Sequence, residues 1–460
     1  MEIESGLDEE QFRFYGKQLV DWIADYLKEG EKYPVFSQVS PGEIRKRLPS
    51  VPPQKSEQMD EIFSDFERVV LPGITHWNKP GFMAYFAISG SAPGILAELV
   101  IAALNVNGML WRTSPAATEL EELVIDWFRQ MLGLPIEFDG VITDTASVST
   151  LIALTAARDA LNGRIRSEGL SGENVSKPLR LYCSEQAHSS VEKAGIVLGI
   201  GQKGVKKISV DSDFQMNVKE LERTLREDAA LGYLPFCVVA TVGTTSTTSI
   251  DPVSQIAEIC EKNNLWLHID GAYGGTAAIV PEMRYVLNGC ERADSIVVNP
   301  HKWMFTPIDC SVLFSRRMDI LNRAFSLVPE YLKTPEGDVK NFMDYGIQLG
   351  RRFRGLKLWF VIRSFGVEGL RVNIREHCRL AKEFAQWIDN DSQFERLAPV
   401  PFSVVCFRYH PSGIDDEQIL EAINEKLIQR VNATGEIFIS HTKLNGKFTI
   451  RVAIGHLRTT

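Results

Sequence analysis

The 460-residue chain has seven cysteines, at positions 183, 237, 260, 290, 310, 378 and 406, and none of them forms a Cys-x-x-Cys pair. An odd, dispersed set argues against a disulfide framework and a zinc cluster, and for free buried thiols in a reducing compartment. No metal site is expected. Long apolar runs are also missing: none approaches the roughly 20 residues of a bilayer-spanning helix. Positive charge is in deficit, with 50 Lys+Arg against 59 Asp+Glu and a formal net charge of −9. That balance argues against nonspecific nucleic-acid binding. The N-terminal stretch Met1 to Leu19 lacks the basic start and apolar core of a signal peptide. Together these point to a cytoplasmic protein with neither nucleic-acid nor membrane partner. Internal repeats and low-complexity segments are absent. At 44% apolar and 24% charged residues, the composition is that of a globular chain. The length allows a large domain and a smaller one.

Residues 8–30 carry Phe12, Tyr15, Leu19, Trp22, Ile23 and Tyr26 on one helical stripe. A link with Pro49, Pro52 and Pro53 follows, then a second helical stretch over about 57–71. Two helices with this much apolar surface are unstable alone and are expected to pack on a partner subunit. From about 90 to 310, helical patterns such as 251–263 alternate with short apolar runs. The runs 180–183, 235–241, 265–270 and 295–298 read as strands, so this part reads as an α/β domain with a mostly parallel sheet. In the last 100 residues, 402–407 and 447–453 read as strands. Ile419, Ile423, Leu427 and Val431 mark a helix between them, giving a small α+β domain. The expected division is 1–85, 86–360 and 361–460.

The chemistry concentrates at the ends of those strands, where open α/β sheets bind ligands. Asn299-Pro300-His301-Lys302 closes the run Ser295 to Val298, and Trp303 follows. A lysine there can face a crevice, where desolvation and nearby positive charge lower its pKa and free its amine to form a Schiff base. It is equally compatible with a surface lysine. Asp270 ends the preceding strand, 32 residues upstream. A strand-end aspartate is often a helix cap or an ion-pair partner. Beside a Schiff-base lysine it would instead hold a pyridine nitrogen protonated and make the ring an electron sink. The hydroxyl-rich stretch Thr143 to Ser149 runs into a helical pattern, which suits either capping or anion binding. Thr244 and Thr245 follow another strand. His188 follows a fourth, where an imidazole could stack on a ring.

These residues, with His76-Trp77-Asn78-Lys79-Pro80, Ala84-Tyr85-Phe86, the stretch Ser114 to Glu121, Gln186-Ala187-His188-Ser189-Ser190 and the stretch Gly350 to Arg354, resemble the group II pyridoxal-phosphate decarboxylases. Within that group the chain is most similar to the aromatic L-amino acid decarboxylases, over nearly its whole length. The resemblance implies a fold-type-I, aspartate aminotransferase-like α/β fold and a homodimer with shared active sites. It also implies an N-terminal helical dimerisation segment, a large cofactor-binding domain and a small C-terminal α+β domain. Pyridoxal 5'-phosphate would be held by Lys302, with Asp270 on its ring nitrogen and His188 stacked on the ring. Ala146, Ser147 and Asn299 would lie near the phosphate. Thr245, Ala272 and His301 would complete the cofactor site. Trp77, Tyr85, Phe86, Met109 and Gly350 would line the pocket for a small aromatic amino acid.

Pro329-Glu330-Tyr331-Leu332-Lys333 opens a charged stretch that reads as a lid. By resemblance, Tyr331 is the proton donor to the carbanion, and relatives with phenylalanine there look like aldehyde synthases. Tyr331 with His188 therefore favours simple decarboxylation. An aromatic aldehyde synthase, or a glutamate or histidine decarboxylase of the same group, is the alternative. A catalytically dead scaffold is a further one. The chain departs from the common pattern at Ala87, where relatives carry proline, and at Gly271, where many carry alanine. The segment from Tyr331 to Gly350 is also shorter than in the animal enzymes. Gly350 itself matches a small residue that leaves room for an indole.

Overall fold

The computed structural model describes residues 6–28, 32–161, 163–170, 177–327, 332, 336–337 and 339–460. Seven strands form the large sheet: β1 (Asp139–Thr143), β2 (Leu179–Ser184), β3 (Val205–Ile208), β4 (Leu234–Thr241), β5 (Trp266–Asp270), β6 (Ser295–Val298) and β7 (Ser311–Ser315). Their order is β1-β7-β6-β5-β4-β2-β3. β7 runs antiparallel to both β1 and β6, and the other neighbours pair in parallel. Six strands therefore end at one edge of the sheet, and β7 begins there. Every residue of β5, β6 and β7 is buried. Strands covered on both faces read as continuous apolar runs, so β5 and β6 were legible as sequence.

The helix Ala146–Leu161 leaves β1 and packs across the middle of the sheet. Its buried face, including Ile152, Ala153, Leu154, Ala156 and Ala157, is made mostly of small side chains, which allows close approach. Each fully buried Leu or Ile contributes about 1.5–3 kcal/mol of transfer free energy. A second sheet is antiparallel: β8 (Phe394–Arg396), β9 (Val404–Tyr409), β10 (Ser440–Leu444) and β11 (Lys447–Ala453), ordered β10-β11-β9-β8. The helix Glu417–Ala433 packs on it, started by Asp416, whose carboxylate accepts from the backbone N–H groups of Gln418 and Ile419. The expected α+β unit at the C-terminus is present.

The long helical segment Arg354–Asn390 connects the two sheets. It breaks at Gly366, whose φ of 63° and ψ of 166° only glycine adopts readily. The half before Gly366 packs on Ala92–Leu104 and Pro115–Leu132, and the half after it on β8 and β9.

The N-terminal helix Glu9–Lys28 and the stretch after the proline-rich link pack on each other. Trp22 stacks on Tyr26 and meets Phe63 and Phe66 edge-on. The second stretch is an α-helix only over Met59–Asp65. It continues as a π-helical turn, Phe66–Val70, and a 3-10 turn, Leu71–Gly73. No residue of Glu9–Lys28 is fully buried, and Phe12 remains 68% exposed.

Candidate active site

Parallel register brings the strand-end residues together. Thr241 of β4 is the Cα partner of Asp270 on β5, and Asp270 is that of Val297 on β6. The chain turns after β6 through Asn299 into the short helix Pro300–Trp303, which carries Lys302. His301 anchors this turn. Its Nδ1 accepts from the Cys310 N–H at 2.9 Å, and its Nε2 lies 3.3 Å from Asn299 Nδ2. Burial and the Lys302 charge lower the His301 pKa to about 3. A neutral ring that accepts at Nδ1 carries its one proton on Nε2, and protonating Nδ1 would break the bond from the Cys310 N–H.

Lys302 Nζ donates no hydrogen bond to the described residues and sits 4.9 Å from the centroid of the Phe86 ring. Burial lowers its pKa; Asp270 opposes this and Arg451 adds to it. The amine is thus poised for nucleophilic attack. Phe86 lies at the end of an aromatic ladder. It stacks on Tyr273 at 4.0 Å, Tyr273 on Trp303 at 4.6 Å, and Trp303 donates Nε1–H to His377 Nδ1 at 2.9 Å. This ladder fixes the turn that bears Lys302 against the long helix.

Asp270 Oδ1 accepts from the Ala272 N–H at 3.1 Å, which aims the carboxylate along the sheet edge and places Ala272 beside it. His188 precedes the helix Ser189–Val197 and caps it, with Nδ1 accepting from the Ser190 N–H at 3.2 Å. Its ring faces both Asp270 and Lys302. Desolvation lowers its pKa against the pull of Asp270, and Lys302 and Lys193 lower it further. Ala146 and Ser147 open the helix Ala146–Leu161 at the same edge, where unpaired backbone N–H groups favour an anion. Ser149 behind them bonds Thr143 at 2.7 Å and Ser311 at 3.0 Å, tying the helix start to β1 and β7. The hydroxyl side chains of Ser147 and Thr245 are exposed.

The pocket residues fall into two groups. Phe86 faces Lys302, while Trp77 and Tyr85 stack on each other at 5.6 Å and stay largely exposed. Met109 and Gly350 stand with Asn107. Asn107 Nδ2 is 3.5 Å from Met109 Sδ and 3.8 Å from where a Gly350 Cβ would sit. Among the described residues, no hydrogen bond or ring contact joins the two groups within one chain. The motif stretches from Ser114 to Glu121 and from Gly350 to Arg354 do meet, through a buried pair. Arg351 Nη2 lies 2.6 Å from Glu121 Oε1, and that oxygen also accepts from the Ile142 N–H. Breaking such a pair leaves an uncompensated buried charge, at a cost of about 3–5 kcal/mol. Tyr331 lies outside the described residues.

Sequence reasoning missed Arg451. Its guanidinium lies 4.7 Å from the Phe86 centroid on β11, donates Nε–H to the Ser246 carbonyl at 3.0 Å and bonds the Tyr85 carbonyl. Its Nη2 is buried without a partner. The available signal was an arginine at an interior position of an otherwise buried strand. Asn299 Oδ1 is likewise buried and unpartnered. Two orphaned polar atoms, a helix N-terminus, a strand-end carboxylate and an unbonded lysine amine converge on one edge. Such a donor set fits a phosphorylated pyridine aldehyde.

The pyridoxal-dependent decarboxylase conserved domain matches residues 41–410. The chain is 42% identical to tryptophan decarboxylase 2 of Oryza sativa subsp. japonica, covering 98% of this chain and 91% of that one. It is also 42% identical to phenylacetaldehyde synthase of Arabidopsis thaliana, over 98% of this chain and 92% of the other. The crystal structure of Catharanthus roseus tryptophan decarboxylase in complex with L-tryptophan superposes with a TM-score of 0.92 at 38% identity, covering 99% and 96% of the two chains. The chain belongs to the pyridoxal-dependent decarboxylase family and is an enzyme that uses pyridoxal phosphate. The expected fold class stands.

Proposed function

We propose that the protein decarboxylates an aromatic L-amino acid, with tryptophan the favoured substrate, giving the arylalkylamine and CO2. The observation that carries this reading is the Lys302 amine, free of hydrogen bonds to the described residues and 4.9 Å from the Phe86 ring, beside Asp270 at the sheet edge. Bound pyridoxal phosphate supplies an electron sink for the pair left when the bond from Cα to the carboxylate breaks.

The chain's residues do the rest. Ala146 and Ser147 offer backbone N–H groups to the phosphate, with Thr245, Asn299 and His301 around it. Asp270 would hold a proton on the ring nitrogen, with His188 on the ring face and Ala272 nearby. Lys302 would hold the cofactor through its amine. Tyr331 returns one proton to Cα after CO2 has left, so the product is an amine. Phe86, Trp77 and Tyr85 take the aromatic side chain.

The identities do not separate a decarboxylase from an aldehyde synthase, since one relative of each kind is 42% identical. Tyr331 decides for the decarboxylase in this reading.

The active site is shared in a cytoplasmic homodimer. Leu96, Leu99 and Leu104 on the helix Ala92–Leu104 are exposed, as are Phe12 and Phe14. Residues 1–85 would form a dimerisation arm, 86–360 the cofactor domain and 361–460 the small domain. Met109 and Gly350 of one subunit then complete the pocket beside Phe86 of the other.

The test is Lys302→Ala. The variant should lose both the visible absorbance of bound cofactor and all turnover. Persisting turnover would contradict the assignment.

A further inference from the structure

Two buried polar atoms near Asp270 have no hydrogen-bond partner among the described residues: His268 Nε2 and Thr241 Oγ1. Residues 266, 268 and 270 alternate along β5, so their side chains share one face of the sheet. Ser295 on β6 is the Cα partner of His268, and its hydroxyl joins the row. Trp266 donates Nε1–H to Ser295 Oγ at 2.9 Å, and Ser295 Oγ lies 2.9 Å from His268 Nδ1. The indole nitrogen can only donate. A serine hydroxyl that accepts from it has its own proton free for Nδ1. That leaves the imidazole proton on Nε2, the atom with no partner. The ring is fully buried, and desolvation lowers its pKa to about 4 despite Asp270, so it is neutral and carries one N–H.

A buried N–H is seldom left unpaired. The acceptor two residues along the same face is the Asp270 carboxylate, one oxygen of which is engaged with the Ala272 N–H. Thr241, the register partner of Asp270, holds the other orphaned donor on the neighbouring strand.

We propose that His268 is a positioning residue for Asp270: it presents Nε2–H toward the carboxylate, with Thr241 beside it, and so keeps Asp270 aimed at the cofactor's ring nitrogen. The row Trp266, Ser295, His268 is a directed hydrogen-bond relay in which each group's donor is set by the one before it, and it ends on the Nε2–H two residues from Asp270. The inference rests on the reading of Asp270 given above, and the test separates the two.

The apoenzyme is titrated with pyridoxal phosphate and the visible absorbance read. His268→Leu should weaken cofactor affinity at least tenfold and lower kcat, leaving the KM for the amino acid within twofold. His268→Gln, which keeps a donor near the Nε2 position, should restore affinity to within threefold. Asp270→Asn should lose affinity whatever His268 does. If Asp270→Asn binds normally, the role of Asp270 fails. If it loses affinity while a folded His268→Leu binds normally, only the role of His268 fails. Should His268→Leu not fold, 15N spectra of histidine-labelled apoenzyme decide, with His268 assigned through His268→Gln. The proton should reside on Nε2, and its resonance should shift in Asp270→Asn. A proton on Nδ1, or a resonance indifferent to Asp270→Asn, overturns the proposal.

Discussion

Lys302 Nζ lies 4.9 Å from the centroid of Phe86, and the Arg451 guanidinium lies 4.7 Å from the same ring. One aromatic ring thus stands against two cations, from the cofactor turn and from the small domain. A cation over a ring contributes about 0.5–2 kcal/mol, and an aromatic stack about 0.5–1.5 kcal/mol.

Phe86→Ala removes both contacts and the stack on Tyr273. The expected result is a fall in kcat/KM of roughly ten- to a hundredfold, on that energy scale, with cofactor still bound. Steady-state kinetics with an aromatic substrate check it. Unchanged kcat/KM would mean that Phe86 contributes nothing to Lys302 or to the substrate.

Gly350→Ser addresses substrate choice. A Cβ at Gly350 would meet only Asn107 Nδ2, at an ordinary 3.8 Å, and the backbone is not in a glycine-only conformation. Stability should therefore change by less than about 0.5 kcal/mol. The ratio of kcat/KM for tryptophan over tyrosine should fall roughly tenfold, the scale of a small steric change in an apolar pocket. An unaltered ratio in a stable variant would detach Gly350 from the pocket.

Acid should destabilise the protein earlier than its carboxylates require. Burial lowers His268 and His377 to about 4 and His301 to about 3, while an unfolded histidine titrates near 6.5. Between those values the unfolded chain binds protons that the folded one does not, so stability rises with pH. It is complete above about pH 6.5 and lost as pH falls toward 4. With three such rings, the slope approaches roughly 4 kcal/mol per pH unit. Thermal melts across pH 7 to 5 should show a steep drop in Tm. A flat Tm over that range would contradict the neutral, buried state of these rings.

What the sequence revealed follows from how each residue is used. β6 and β11 have the same bounds in the sequence reading and the structure: β6 reads as an apolar run, and β11 as the alternation of Phe448, Ile450 and Val452 with polar residues. β3 escaped notice: its central residues, Lys206 and Lys207, are exposed and break the apolar signal. β7, whose apolar Val312-Leu313-Phe314 lies between two serines, was not read as a strand, and its antiparallel place between β1 and β6 shows only in the register. Within the candidate site, Asp270 was placed by the strand it ends, and Lys302 and His188 by the turns that follow β6 and β2. Arg451 and the row behind Asp270 were not, because their roles depend on register between strands far apart in the chain. The two separated pocket groups would have the same origin on the proposed dimer, since a surface completed by another subunit leaves no periodicity in one sequence.

The most direct measurement is product analysis of the holoenzyme with tryptophan, tyrosine, phenylalanine and dihydroxyphenylalanine, with glutamate and histidine as controls. Amine and peroxide are read together, for the protein and for Tyr331→Phe. The account predicts amine from the aromatic substrates, most from tryptophan, without stoichiometric peroxide, and a shift to aldehyde and peroxide in the variant. Aldehyde and peroxide as the main products of the unaltered enzyme, or amine from glutamate or histidine alone, would contradict it.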